Sequence, residues 1–270
     1  MILAAEAGTR GFFPQVWYIL TEYGSWFLKG AGITMMIAVL GTIVGTVIGL
    51  MVGTVRTIPT GKHDGSRPRR VLLRVVNALL AVYIEVFRGT PMLIQALVVF
   101  FGLKAVFDLD LAPIPTGLLV VSINTGAYMS EIVRGGIQAI DPGQMEAGRA
   151  VGMKHWPIMR GVILPQAIRN IMPATGNEFV INIKDTSVLF LIGVTELFTQ
   201  GKSLLGITYR PFEVYLTIAA IYLVLTYSTT RILRVLERRL EGPDNFTLAT
   251  SQTMPESVLL RRHPDGGGGR

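Results

Sequence analysis

The apolar residues of this chain are gathered into five blocks that are separated by short polar segments. A helix of roughly 20 apolar residues crosses the hydrocarbon core of a bilayer. The blocks therefore predict membrane spans at about 27–55, 71–106, 115–139, 166–198 and 212–234. Within the first block, small residues recur at every fourth position: Gly41, Gly45, Gly49 and Gly53. Such a stripe lets another helix approach closely and predicts tight packing on this face.

Two of the blocks are interrupted. The second contains Arg88-Gly89-Thr90-Pro91, and a proline inside a helix removes a backbone donor and kinks or breaks the helix. We interpret 71–106 as one broken span, with two short helices as the alternative. The fourth block is interrupted by Lys184 and Asp185.

The pattern also divides the chain into three parts. Residues 1–25 mix polar and aromatic positions and are predicted to be an interfacial segment, and residues 26–240 form the predicted transmembrane domain. Residues 241–270 end in a glycine run and have the composition of a disordered tail. The fold class that follows is all-α, a polytopic bundle of about five transmembrane helices.

Composition supports membrane insertion. Of the 270 residues, 50% are hydrophobic and 16% are charged, and the mean hydropathy is +0.48, whereas a soluble domain of this length needs a larger charged surface. The formal net charge is +7, and the charged residues lie between the apolar blocks. This distribution indicates loops that set the membrane topology and not nucleic-acid binding. The absence of cysteine excludes disulfides and thiolate metal sites. No metal site is expected.

The distribution of lysine and arginine predicts the orientation. Basic residues concentrate in the segments 56–70 and 141–165 and at the end of the last span, and five spans place these three regions on one side. The positive-inside bias makes that side cytoplasmic. The N-terminus is then outside and the C-terminus inside, and no cleavable signal peptide is visible at the start.

The chain carries no recognisable catalytic motif. Gly201-Lys202-Ser203 looks like the end of a phosphate-binding loop, but that motif needs a glycine where Glu196 stands. Neither a metalloprotease HExxH nor a GxSxG is present. We therefore expect no enzymatic activity from this chain alone.

One polar segment carries a specific motif. In residues 143–167, Glu146-Ala147-Gly148 is followed by Gly152 and then by Val162-Ile163-Leu164-Pro165. This spacing resembles the EAA motif of binding-protein-dependent ABC importer permeases, with Gly148 in place of the second alanine and Val162 in place of isoleucine. The stretches at 85–95, 123–144 and 176–187 resemble the polar amino acid branch of that family, and the likeness covers about residues 25–240.

The resemblance implies a small type I importer fold and a set of partners. These are a dimer of ATPase subunits, a second permease subunit that is a copy or a sister chain, an extracytoplasmic solute-binding protein and the amino acid, all at the bacterial plasma membrane. ATP and Mg²⁺ would be bound by the ATPase, with no cofactor in this chain. The segment 142–160 is predicted to form two short coupling helices hinged at Gly152, where glycine permits a left-handed turn. The implied ATPase contact consists of Glu146, Ala147, Gly148, Gly152 and Met153.

Polar side chains inside the spans are candidates for a substrate pathway, because ionisable groups in hydrocarbon face a protein interior or water. Asn124, Tyr128 and Glu131 share one helical face of the third span, and Glu178, Asn182 and Asp185 repeat that spacing on the fourth. The candidate pathway residues are Arg88, Asn124, Tyr128, Glu131, Glu178, Asp185 and Ser187. The alternative is that these groups pair between helices, for instance Arg88 with Glu85.

Two other functions are compatible with parts of the pattern. A secondary transporter predicts inverted repeats with paired broken helices, and we find no internal duplication. A channel or scaffold component predicts polar faces without coupling to a nucleotide. The sequence leaves open which amino acid is carried and whether the permeases form a homodimer or a heterodimer.

Overall fold

A computed structural model describes residues 11–59 and 66–240, and these residues are helical throughout their regular structure, without strands. The helices are α1 (Phe12–Glu22), α2 (Gly24–Arg56), α3 (Arg67–Gly89), α4 (Met92–Phe107), α5 (Pro113–Gln138), α6 (Pro142–Ala150), α7 (His155–Ile158), α8 (Leu164–Asp185), α9 (Leu197–Ser203), α10 (Leu205–Thr208) and α11 (Pro211–Leu240). A π-helical turn, Met159–Ile163, joins α7 to α8, and a 3₁₀ helix, Thr186–Ile192, continues α8.

Helices α2 and α5 form the centre of the bundle and run parallel. A Cβ atom on Gly41 would meet Val121, one on Gly45 would meet Thr125, and one on Gly53 would meet Val133. Numbers rise together on both helices, which fixes the parallel direction. The predicted close packing of the glycine stripe is confirmed, and we refer to this contact as the seam.

A parallel seam requires that the chain return to its starting end between α2 and α5, and α3 and α4 together make that crossing. The two helices meet at Thr90-Pro91 with a bend of 113°. Pro91 carries no N–H, and the extended backbone of Thr90 and Pro91 ends one helix before the next begins. This bend is much sharper than a kink. Helices α3 and α4 nevertheless cross the bundle once between them, so we count them as one broken span.

The remaining spans surround the seam. Helix α8 and its 3₁₀ extension pack on both α2 and α5, and α11 packs on α8 and on α9. At the end of the bundle where α2 begins, α1 lies against α11, with the Phe12 and Phe212 rings 5.6 Å apart. The described part of the chain therefore runs five times between the two ends of the bundle. We call the end that carries α6 and α7 the elbow end, and the opposite end the α9 end.

By length and apolar composition, only α2 and α11 pass as single spans among the described residues, and the number rises to four if each of two bent helix pairs counts once. Helix α5 is long enough, with 26 residues, but it is less apolar than α2. The reason is its position: more than half of its residues are buried within the protein, so lipid does not select them.

Some predicted boundaries need correction. The prediction of two short helices over 142–160 is wrong for the second one, because α7 continues through the π turn into α8 as a single uninterrupted run from His155 to Ile192. Pro165 cannot donate to the preceding turn, and the widened π turn lies directly before it. The predicted boundary at 25/26 falls inside α2, which begins at Gly24. The predicted disordered tail, 241–270, lies outside the described residues.

Candidate functional site

The elbow is the segment from Asp141 to Trp156, which contains α6 and the turn after it. The Asp141 side chain caps α6 by accepting a hydrogen bond from the Gly143 backbone N–H at 2.8 Å. At the other end, Gly152 has φ +85°, its N–H donates to the Arg149 carbonyl, and the Met153 N–H donates to the Gly148 carbonyl. This pair of bonds is a Schellman motif, which needs a left-handed residue at the position of Gly152. The predicted left-handed turn is confirmed.

The outer surface of the elbow is exposed and partly apolar. Glu146 and Ala147 are exposed on α6. Past the turn, Val151 is 77% exposed, Trp156 58% and Met153 37%. Apolar side chains of this size exposed together on a polar segment mark a surface that contacts a protein partner or the membrane.

The inner surface of the elbow is anchored to the bundle. Gly148 is buried, and a Cβ atom there would lie 2.7 Å from Ile158 Cγ1. Ile158 belongs to a buried cluster that joins the elbow to α5 and α8: Met129, Val133, Ile137, Ile140, Ile158, Met159, Ile163, Ala167 and Ile171. The elbow is therefore continuous, through close-packed side chains, with α5 and α8.

Three of the predicted pathway residues meet at the end of α3. Arg88, Tyr128 and Glu131 line one cavity of about 500 Å³, together with Arg56, Ala81, Ile84, Glu85 and Gly89. The Arg88 guanidinium carbon lies 5.4 Å from the centroid of the Tyr128 ring, a cation–π contact. No ion pair between Arg88 and Glu85 exists in the described part of the chain.

Glu131 has a structural role in this geometry. One carboxylate oxygen accepts from Arg56 at the end of α2, and the other accepts from Arg134 Nη2 at 2.7 Å. Both oxygens are thus engaged by cations, and the pair with Arg56 ties α2 to α5 at the elbow end. Charge neutralised in this way is not available to a substrate unless a pair opens.

Asn124 is buried at the break of the second span and does not line the cavity. Its side-chain amide donates to Gln95 Oε1 at 2.9 Å, and Gln95 in turn donates to the Phe87 and Thr90 carbonyls. These carbonyls have lost their helical partners because the helix ends there. Asn124 and Gln95 therefore stabilise the break, as broken backbone at membrane depth requires.

Glu178 and Asp185 lie seven residues apart on α8 and are partly buried. Neither carboxylate forms an ion pair within the described residues, although Arg88 and Asp185 are both close enough to act electrostatically on Glu178. Ser187 follows in the 3₁₀ helix and is partly buried. Four candidate pathway residues therefore have charged or phenolic groups without an ion-pair partner among the described residues, so that these groups could contact a substrate: Arg88, Tyr128, Glu178 and Asp185.

Asn182 has a different role from its neighbours on α8. Its side-chain amide donates to Thr42 Oγ1 at 2.8 Å and to Thr125 Oγ1 at 3.0 Å. These bonds join α2, α5 and α8 in the middle of the bundle. The sequence placed Asn182 on a polar helix face, but it did not indicate which residues this side chain contacts.

Glu196 is buried. From the sequence alone it was notable only because it occupies a position where a phosphate-binding loop needs glycine. Its carboxylate accepts from the Phe198 and Thr199 N–H groups and from the Tyr222 hydroxyl, each at 2.8 Å. Glu196 thus caps α9 and fixes α11 to it. Glutamate is not among the preferred N-cap residues, and Glu196 with Thr199 reverses the order of a capping box, so no recognised sequence signal predicts this cap.

The described residues contain no group of three His, Cys, Asp or Glu side chains that could hold a metal ion. The site is therefore built from helix packing, a solvent-exposed elbow and a few polar groups near the break of the second span.

Comparison with known proteins agrees with this geometry. The glutamine transport system permease protein GlnP of Escherichia coli (strain K12) is 39% identical over 215 residues, which cover 79% of this chain and 92% of GlnP. The probable amino-acid permease protein YxeN of Bacillus subtilis (strain 168) is 38% identical over 171 residues, covering 63% of this chain and 76% of YxeN.

Solved structures show the same architecture. An amino acid ABC transporter crystallised with histidines is similar with a TM-score of 0.72 at 36% identity, covering 86% of this chain and 99% of that one. The MetNI methionine ABC transporter in an inward-facing conformation has a TM-score of 0.65 at 19% identity over 80% of this chain and 96% of its own, which supports the fold alone. Residues 65–242 match the family described as binding-protein-dependent transport system inner membrane component, and the chain belongs to that family.

Proposed function

We propose that this chain is the permease subunit of an ATP-driven importer of an amino acid and that the elbow is its contact with a separate ATPase. The observation that carries the proposal is the elbow: a capped helix with a left-handed glycine turn, exposed apolar side chains outside and close packing inside. The family and the names of the relatives support an amino acid as the substrate.

Coupling would follow from the rigidity of the elbow. ATP and Mg²⁺ would be bound by two ATPase subunits, and closure of that dimer would push on α6 and the turn at Gly152. Because Gly148 rests on Ile158, and Ile158 on the cluster shared by α5 and α8, the push would move central helices as a body. Packed interfaces of this kind switch between discrete arrangements.

The proposed pathway runs past the broken second span. Arg88, Tyr128, Glu178 and Asp185 offer a cation, an aromatic hydroxyl and two carboxylates without ion-pair partners among the described residues. This set suits a zwitterion, since its carboxylate and its ammonium each find an opposite charge. Asn124 and Glu131 would act by holding α3, α4 and α5 in place, and Ser187 lies beyond Asp185 along the same run.

The remaining partners follow from the family and the charges. A second permease, identical or related, and an extracytoplasmic solute-binding protein would complete the assembly in the bacterial plasma membrane. The elbow end carries most of the lysine and arginine, so the positive-inside bias makes it cytoplasmic. The N-terminus is then outside and the C-terminus inside.

Reconstitution tests the proposal. The permease is placed in liposomes with its ATPase and its binding protein, and uptake of a labelled amino acid is followed with and without ATP. Uptake only with ATP and only with the ATPase present is the expected result. Uptake by the permease alone would instead assign it to secondary transport or to a channel.

The turn at Gly152 gives a sharper test, because Gly193 has nearly the same φ, +84°, and is also exposed but lies at the α9 end. Gly152→Asp is expected to abolish ATP-driven uptake while membrane insertion stays normal. Gly193→Asp imposes similar backbone strain and is expected to leave binding of the ATPase intact. Unaltered uptake in Gly152→Asp would contradict the coupling role.

The pathway is tested by Glu178→Gln, which removes a charge and keeps the shape of the side chain. We expect the concentration of amino acid that gives half-maximal ATPase stimulation to rise by tenfold or more, at unchanged expression. Asn124→Ala should instead lower thermal stability, since the break of the second span loses its partner. A Glu178→Gln complex with wild-type concentration dependence would remove Glu178 from the pathway.

A further inference from the structure

A second cavity lies at the elbow end, away from the proposed pathway. It has a volume of about 450 Å³ and is lined by three separate segments of the chain. The end of α2 and the turn after it contribute Thr54 and Ile58, and the start of α3 contributes Arg69. The segment from the elbow into the π turn contributes Lys154, His155, Trp156 and Met159. None of the described residues that line it is acidic.

The start of α3 is unfavourably charged for a helix N-terminus. Its first two turns carry Arg67, Arg69, Arg70 and Arg74, and its first turn has no acidic residue. Ser66, at the N-cap position, makes no side-chain cap hydrogen bond. A helix N-terminus has positive potential and unpaired N–H groups, so four cations there repel both it and one another. A bound anion would offset both the repulsion between the arginines and the helix N-terminus and the repulsion among the arginines themselves.

The level of the cavity in the bundle indicates which anion. It lies where two spans end and begin, α2 at Arg56 and α3 at Arg67. Trp156, 58% exposed, is the type of side chain that is enriched at the boundary between lipid and water. Basic pockets at this level between transmembrane helices bind anionic lipid headgroups.

We propose that this cavity binds the phosphate of an anionic phospholipid, with Arg69 and Lys154 as its cations. The lipid would thereby connect the start of α3 to the elbow, which otherwise belong to different parts of the bundle. That the leaflet is the cytoplasmic one depends on the proposed function. Lipid binding itself does not, because it is measured in detergent without transport.

The test uses the permease purified in detergent with its ATPase. Retention of phosphatidylglycerol and of phosphatidylcholine with the same acyl chains is titrated by native mass spectrometry. The double variant Arg69→Gln, Lys154→Gln is compared with Arg160→Gln, Arg238→Gln, which removes the same charge from two exposed residues that do not line the cavity.

Each cation near an anionic surface changes binding by about fivefold, so the site variant should bind phosphatidylglycerol on the order of 25-fold more weakly. The control variant should bind within about twofold of wild type, and phosphatidylcholine should show little difference among the three proteins. Equal weakening in both double variants would show a diffuse charge effect and overturn the proposal.

Two further outcomes would also overturn it. If inorganic phosphate stabilises the wild-type complex against heat as well as phosphatidylglycerol does, the cavity takes a soluble phosphate. If the site variant loses its ATPase while lipid retention is unchanged, the cations belong to the ATPase contact. A failure of ATP-driven uptake in reconstitution would leave all these lipid measurements interpretable.

Discussion

The seam between α2 and α5 and the elbow both depend on glycine, but they use different properties of it. In the seam, four glycines remove side chains so that two helix backbones approach each other, and a Cβ at Gly45 would lie 2.6 Å from Thr125 Cβ. In the elbow, a Cβ added to Gly152 would have nothing within 4 Å, and what matters is the φ of this residue, +85°. The comparison separates close approach from backbone conformation.

The difference explains what each region can do. The seam is the fixed centre, held by packing and by the Asn182 bonds to Thr42 and Thr125. The elbow is a small protruding lever whose shape is set by one turn and whose base is packed on Ile158. A substitution that disrupts the packing of the seam should therefore lower the stability of the fold. A substitution that disrupts the turn should instead impair coupling to a partner protein.

The largest effect is expected from Gly49→Val in the seam. A Cβ at this position would meet Met129 Cβ and would lie 2.8 Å from the Met129 backbone carbon, and backbone cannot move aside as a side chain can. Overpacking of a core usually costs about 1–3 kcal/mol, and we expect at least the upper part of that range. Thermal unfolding in detergent measures the loss.

Gly32→Val is the matched control, because Gly32 is on the same helix and has nothing within 4 Å of an added Cβ. Valine is a better helix former than glycine, so this variant should be as stable as wild type or more so. Equal destabilisation in the two variants would contradict the seam.

A middle-sized effect is expected from Asn182→Ala, which removes the hydrogen bonds that join three helices. Interhelical hydrogen bonds in membrane proteins contribute about 0.6 kcal/mol on average and up to about 1.7, so a loss of about 1 kcal/mol is expected. Asn177→Ala, on an exposed position of the same helix, should have little effect. A stability of Asn182→Ala equal to that of Asn177→Ala would show that the bonds do not hold the seam.

The smallest effect is expected from Gly148→Ala, which restores the alanine of the EAA motif. The added Cβ would approach Ile158 Cγ1 and Cδ1 at 2.7 and 2.8 Å. Because a side chain can yield, the loss should lie at or below the lower end of the roughly 1–3 kcal/mol that overpacking costs. In an Ile158→Ala background the same change should have no cost. An unchanged cost in that background would place the strain elsewhere.

Several of these features could be predicted from the sequence because their cause is local. The Thr90-Pro91 pair ends a helix through its own extended backbone. Glycines spaced four residues apart share one helix face, and a glycine after the helix that carries Glu146 favours a left-handed turn. The spacing of charged residues and the EAA-like motif likewise located the elbow before any packing was known.

The rest depends on which helices meet. Spacing placed Asn182 with Glu178 and Asp185, but only packing shows that Asn182 points to Thr42 and Thr125 while Glu178 has no ion-pair partner in the described part of the chain. The sequence made Glu131 a pathway candidate, but in the structure Arg56, 75 positions away in sequence, donates a hydrogen bond to its carboxylate. The π turn was equally hidden, since the short helices were expected to end at 160 and the fourth span to begin at about 166, whereas the structure joins them.

Site-directed crosslinking tests the central claim most directly, because the chain contains no cysteine and every introduced thiol is unique. Val151→Cys places a thiol at the tip of the elbow, 77% exposed, and Phe107→Cys places one at the α9 end, 73% exposed. With a short bis-maleimide and an ATPase carrying surface cysteines, we expect a permease–ATPase product from residue 151 and none from residue 107. A product from residue 107 alone, or from neither, would contradict it.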